Sequence, residues 1–168
     1  MMSSSNLAYA PAFRLLSDNV FAQVWLNETT GEKALISSGG FMPGETVCSF
    51  SAGETLDHPT YLTVQVDAVK HITLKPEFLQ YINHSCSPNV FFDTTHFVLV
   101  CVKEIKHGDE INFFYPSSEW HMEQAFACRC QATNCHKYIQ GAAHLSTEVL
   151  KQYQLTDFIS RQSGVQPQ

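Results

Sequence analysis

The chain has 168 residues, with 10 Lys plus Arg against 16 Asp plus Glu and a formal net charge of −6. That length fits one domain with a small appendage, and a composition that is 44% apolar and 12% aromatic sets it apart from disordered chains. No apolar run nears the roughly 18 residues of a bilayer-spanning helix, and the acidic balance speaks against direct nucleic-acid or membrane partners while suiting a basic one.

Residues 1–17 are mostly small and polar and are expected to form an N-terminal tail. They lack the basic and apolar regions of a signal peptide, so a cytoplasmic or nuclear, non-secreted protein with reduced cysteines is expected. Val20 to Leu26 is rich in β formers, and short apolar runs follow over 33–38 and 46–50. Gly39-Gly40 and Pro43-Gly44-Glu45 punctuate them as turns. Residues 61–66 alternate as a half-buried strand should. His71 to Leu74 is another strand candidate, ended by Lys75-Pro76, and Phe97 to Val102 is the strongest strand signal in the chain. A turn at Lys106 to Asp109 leads into a strand over 110–114. Many short strands with frequent turns predict a mainly β domain. Helix is expected only near the C-terminus, started by Ser146-Thr147-Glu148, with Leu150, Tyr153 and Phe158 facing the body. Gln162 to Gln168 is expected to be a disordered tail.

Three cysteines, Cys128, Cys130 and Cys135, lie within eight residues. Such spacing lets one loop wrap sulfur around a zinc ion, which takes four tetrahedral ligands. The fourth must come from elsewhere, and Cys86, His136 and His121 are the candidates. A site closed by four protein ligands is structural, stabilising a segment too poor in apolar residues to fold alone.

The other polar cluster is Asn83-His84-Ser85-Cys86-Ser87-Pro88-Asn89, set between apolar segments. On chemistry alone it is compatible with a buried Asn and a hydrogen-bonded core His, or with a ligand site, since its polar groups need partners either way. The run Asn83-His84-Ser85-Cys86-x-Pro88-Asn89 resembles the N-H-S-C-x-P-N signature of SET-domain protein lysine methyltransferases. Gly108-Asp109-Glu110-Ile111-Asn112-Phe113-Phe114-Tyr115 resembles that family's G-[DE]-E-[LI]-T-F-x-Y segment. Phe41-x-x-Gly44-Glu45-x-Val47 resembles its early turn and strand, and the Cys128, Cys130, Cys135 loop resembles its post-SET zinc motif. The four matches fall in family order.

The resemblance implies a SET fold of small curved β-sheets with a pseudoknot, a post-SET zinc loop and a short C-terminal helix. It implies a tail over 1–17, a SET domain over 18–126, a post-SET segment over 127–141, and a helix with a disordered tail over 142–168. The zinc ligands would be Cys86, Cys128, Cys130 and Cys135. The cofactor would be S-adenosyl-L-methionine, bound by Lys33, Ala34, Asn83, His84, Tyr115 and Tyr138. Tyr115 would be the catalytic tyrosine, with Ser51, Phe113 and Trp120 lining the substrate channel. The implied activity is methyl transfer to the side-chain amine of a lysine on a basic protein or peptide.

Three positions depart from the family pattern. Glu32-Lys33-Ala34 stands where the family has Gly-x-Gly, Ser51 where it commonly has a tyrosine, and Lys137 where it usually has glycine. Ala at the second glycine position is costly only if φ there is positive. These changes motivate an alternative: a SET fold that lost catalysis and serves as a zinc-stabilised binding module, or one repurposed for a small molecule.

Overall fold

The computed structural model describes residues 12–167. The chain opens with β1 (Phe13–Asp18), β2 (Ala22–Asn27) and β3 (Lys33–Ser37), an antiparallel meander. β4 (Thr46–Ser49) leads to β5 (Ser51–Leu56), β6 (Val64–Asp67) and β7 (Lys70–Lys75), the last three pairing in the order β5-β7-β6. A 3-10 turn over Glu77–Tyr81 follows, then β8 (Asn83–His84), β9 (Val90–Asp93) and β10 (Val98–Cys101). β10 is the centre of the sheet β4-β10-β9. β11 (Asn112–Phe113) pairs in parallel with β8. β12 (Phe126–Ala127) and β13 (Tyr138–Ile139) form a two-residue ribbon, and α1 (Thr147–Leu150) and α2 (Asp157–Ser163) close the chain. The architecture is mainly β, as expected. Among the described residues, no helix is long and apolar enough to cross a membrane.

Leu35, Ile72, Leu99, Ile105 and Ile111 are fully buried where the sheets meet. The chain around Ile111 is held on two sides. Ile111 N–H donates to Leu35 O at 2.8 Å and Ser37 N–H to Asp109 O at 2.8 Å. On the other side Ser85 N–H donates to Phe113 O at 3.0 Å. Asn89 Nδ2 donates to Glu110 O at 2.8 Å, while its Oδ1 accepts from Asn112 N–H at 2.9 Å. One segment thus lies between two others far away in sequence, the interleaving of the expected pseudoknot. It leaves the buried Asn89 amide satisfied through both its ends.

Both ends of the described chain differ from the expectation. The stretch assigned to a tail ends in a strand: Phe13–Asp18 pairs with β2, and only residues 1–11 of that assignment lie outside the described residues. Every residue of β1 is exposed, so no burial pattern marks it. Residues 162–165 of the expected C-terminal tail are likewise ordered, and Gln168 lies outside the described residues. Gln162 and Ser163 belong to α2, Gly164 takes the left-handed conformation (φ +74°) at its end, and Val165 is buried. Two short helices replace the single one expected. Both carry the hydroxyl caps that Ser and Thr provide: Ser146 accepts from Val149 N–H and Thr156 from Ile159 N–H. Leu150, Tyr153 and Phe158 are buried as expected, in a second core with Phe114 and Ile139.

Candidate active site and metal centre

The Sγ atoms of Cys86, Cys128, Cys130 and Cys135 all lie within 4.8 Å of one another, with Cys86 and Cys128 at 4.0 Å. Tetrahedral zinc with bonds of about 2.3 Å wants sulfurs about 3.8 Å apart. The donor set therefore fits zinc, and Cys86 is the fourth member. His136 is engaged elsewhere: its ring meets the Tyr153 hydroxyl at 3.0 Å, while its backbone N–H donates to Cys86 Sγ at 3.4 Å. His121 is exposed and stacks edge-on against His144. Tyr153 fastens the C-terminal helices to the cluster, because its hydroxyl donates to Cys86 O at 2.8 Å and its ring stacks on Phe114 at 3.7 Å. Burial lifts the Cys128 thiol to about 11 and the Cys86 thiol higher. A metal that takes them as thiolates must displace those protons.

Next to the cluster lies a cavity of about 790 Å³. Asn83, His84, Phe113, Tyr115, Glu119 and Phe126 are on its wall. β8 and β11 bring the first three together, since their register sets Asn83 beside Asn112 and His84 beside Phe113. Asn83 Nδ2 donates to Lys33 O at 2.8 Å and to Glu110 Oε1 at 3.0 Å, tying β3 to the turn before β11.

Tyr115 follows β11 in a 3-10 turn. Its hydroxyl donates to Ile82 O at 3.2 Å, and its ring packs at 4.6 Å from Phe113 and 5.9 Å from Phe126. Burial holds this phenol well above its ordinary pKa, with the charges of Glu110 and Glu119 acting in the same direction. It is therefore a neutral donor at physiological pH. His84 couples the two sites. The backbone N–H of Tyr115 donates to Nδ1 at 3.1 Å, so the neutral ring carries its hydrogen on Nε2, facing Cys86 Sγ at 3.3 Å. Burial, with His136 nearby, lowers the pKa of His84 to about 4 and keeps the ring neutral.

Ala34 lies inside β3 opposite Trp25 and has no positive φ, so the missing glycine costs no backbone strain there. The Lys33 ammonium sits 4.8 Å over the Tyr81 ring, and its carbonyl is the acceptor for Asn83. Five expected site residues are not on the cavity wall: Lys33 and Ala34, both in β3, and Ser51, Trp120 and Tyr138. Ser51 is exposed in β5, where it pairs with Lys75 and faces away. Trp120 packs in the second core, and its backbone N–H donates to Gln65 Oε1 at 2.9 Å. Tyr138 is 52% exposed on β13, because its neighbour Ile139 takes the inward position of that two-residue strand. Conversely, Glu119 and the stretch Thr60 to Val64 do line the cavity, and no sequence motif singled them out. A charged residue in Ser118-Glu119-Trp120 has the pattern of a surface turn.

The SET domain profile matches residues 27–116, more than half of the chain. The methyltransferase flvH of Aspergillus flavus is 39% identical over 102 residues, which cover 60% of this chain and 57% of that protein. A histone-lysine N-methyltransferase of Candida albicans, H3 lysine-36 specific, is 29% identical over 118 residues, covering 67% of this chain and 13% of that protein. The chain thus matches little more than half the length of the first and a small part of the second. The methyltransferase domain of human SETMAR superposes with a TM-score of 0.49 at 15% identity, over 79% of this chain and 59% of that one.

Proposed function

Because the chain belongs to the SET-domain family of methyltransferases, we propose that it methylates the side-chain amine of a lysine in a basic protein or peptide, with S-adenosylmethionine as donor. The observation that carries this reading is the meeting of Asn83, His84, Phe113 and Tyr115 on one cavity wall, although they lie 32 residues apart at the extremes of the set. When bound, S-adenosylmethionine supplies an electrophilic methyl group.

The residues of the chain would do the rest. Asn83 is held by Lys33 O and Glu110, and its Oδ1 takes no hydrogen bond from the described residues, leaving an acceptor for the cofactor. Tyr115 is a fixed neutral hydroxyl that orients the reacting amine. A free lysine amine, with a pKa of about 10.4, arrives protonated and has no lone pair to offer. Phe92, Phe113, Leu74 and Val64 on the wall exclude water from it and favour the neutral form. Positioning in a dry channel then supplies much of the rate. Zinc on the four cysteines would be structural, holding residues 128–135 against Cys86.

Calorimetric titration with S-adenosylmethionine and S-adenosylhomocysteine tests the cofactor half of this reading. Micromolar binding is expected, lost in Asn83→Ala. Labelled cofactor with basic protein fractions tests the rest, and Tyr115→Phe is expected to cut transfer about 100-fold or more while leaving the fold intact. Label that appears only in small molecules would replace the protein substrate with a small amine. Absence of cofactor binding by the folded, zinc-loaded protein would favour the non-catalytic alternative.

A further inference from the structure

Glu119 is the one carboxylate whose side chain is buried in the described structure, 7% exposed, and it lies on the wall of the cavity that holds Tyr115. Both of its hydrogen bonds fall on the same oxygen. Gln65 N–H donates to Oε1 at 2.8 Å and the Ser118 hydroxyl at 3.1 Å. No described residue donates to Oε2. No Lys, Arg or His among them forms an ion pair with Glu119 either, since the four ion pairs all lie elsewhere on the surface.

Its backbone is fixed from both ends. Glu119 N–H donates to Tyr115 O at 3.0 Å, and Ala142 N–H donates to Glu119 O at 2.8 Å. The side chain is thus placed by the same turn that places Tyr115. A carboxylate taken out of water without a cation is costly, and proteins normally pair it. Burial accordingly lifts the acid to about 7. Such a group beside a functional residue in a cavity marks a place where the partner is supplied from outside.

We infer that Glu119 is the receptor for the ammonium group of the substrate, its free Oε2 taking a charge-assisted hydrogen bond from an alkylammonium that enters the cavity toward Tyr115. The other acidic side chains on the wall, Glu32, Glu110 and Glu123, are exposed and attract the same charge from a distance, against the single guanidinium of Arg129. Glu119 differs from them in being desolvated, where a charged hydrogen bond is strongest. Recognition then acts on the form that an amine has in neutral solution, before its proton is lost. This deepens the methyl-transfer reading and rests on it for the reacting group.

The probe is n-butylammonium, the alkyl end of a lysine side chain, with butan-1-ol as its uncharged counterpart. Both are titrated into the zinc-loaded protein at pH 8, with and without S-adenosylhomocysteine, and followed by amide chemical shifts of residues 63–65 and 113–119. In the native protein n-butylammonium is expected to bind at least about tenfold more tightly than butan-1-ol. In Glu119→Gln, whose amide oxygen still accepts from Gln65 and Ser118, that preference is expected to vanish while butan-1-ol affinity stays. Equal n-butylammonium affinity in the native protein and Glu119→Gln overturns the inference, as does an equal affinity for the alcohol in the native protein. Should Glu119→Gln not fold, Glu119→Asp, which withdraws the charge by one methylene, is expected to weaken n-butylammonium alone, and unchanged affinity overturns the inference. Failure to bind S-adenosylhomocysteine would sink the methyltransferase reading separately, because n-butylammonium is also titrated without it.

Discussion

Around β3, β7 and β10 the chain buries Leu35, Ile72 and Leu99 completely, and three-stranded ladders join segments from most of the sequence. Between residues 127 and 141 it makes one pairing of two-residue strands and buries Cys128, Ile139 and Gly141. The first region has enough apolar area to fold by burial. The second does not. Its order comes from four sulfurs, from the Asn134 and Tyr153 bonds to Cys86 O, and from Gly141, where a Cβ would come 2.5 Å from Trp120 O. The candidate cavity lies on the border, with Asn83 and Tyr115 on the body side and Cys128 and Cys130 on the other. The contrast teaches that one wall of this site rests on apolar burial and the other on four sulfurs spaced to hold a metal.

Removal of zinc tests this most severely. A strong chelator, or Cys128→Ser, is expected to abolish stoichiometric zinc measured by elemental analysis. Amide exchange protection over 127–141 should then collapse, while β3 and β10 keep theirs. Bound zinc contributes on the order of 10 kcal/mol in small zinc-dependent folds, so the segment should not survive its loss. Collapse of protection in β3 and β10 as well would show that the two regions fold as one unit.

The body carries its own local cost in Glu119. Its folded acid sits at about 7 against an ordinary value of 4.5. Between these values the folded state keeps a proton that the unfolded chain has released. The contribution to stability is therefore full below 4.5 and is lost as pH rises through 7. Glu119→Gln is expected to gain roughly 2–3 kcal/mol over the native protein at pH 8 and close to nothing at pH 4.5. Urea denaturation of both proteins at the two pH values reads this difference. A gain that is the same at both would mean that ionisation of Glu119 carries no cost.

The smallest effect lies in the cysteine segment. Lys137 has φ +68°, in the left-handed region where a side chain is strained. It stands where the resemblance expects glycine. Lys137→Gly should therefore stabilise the zinc-loaded protein by about 0.5–1 kcal/mol, the strain relieved less the added chain entropy of glycine. A loss of thermal stability would mean that the ammonium of Lys137 makes a contribution the backbone does not reveal.

Much of this was legible from local pattern. β3, β4, β7 and β10 lie where short apolar runs and turn residues predicted them, because each carries side chains that pack into the core. The strand read over 61–66 lies instead at Val64–Asp67, since Thr60 to Thr63 form a hydrogen-bonded turn. β1 and β5 carry no such signal in the sequence, for the opposite reason. Their residues are exposed almost throughout, and pairing with β2 and β7 alone makes them strands.

The sequence by itself determined the ingredients: the N-H-S-C run, the segment ending in Tyr115, and three cysteines at metal-ligand spacing. These are short-range features, and their chemistry is set by residue type and separation. Spacing left Cys86, His121 and His136 open as the fourth ligand and only the resemblance favoured Cys86; the tertiary structure brings Cys86 to the cluster, because a loop 42 residues upstream of Cys128 comes to rest there. It also turned Ser51 and Tyr138 outward, because a strand of period two reverses every side chain with a one-residue shift. And it buried Glu119 beside Tyr115 by packing its turn against Gln65 of β6 and Ala142, segments that no local pattern connects to it.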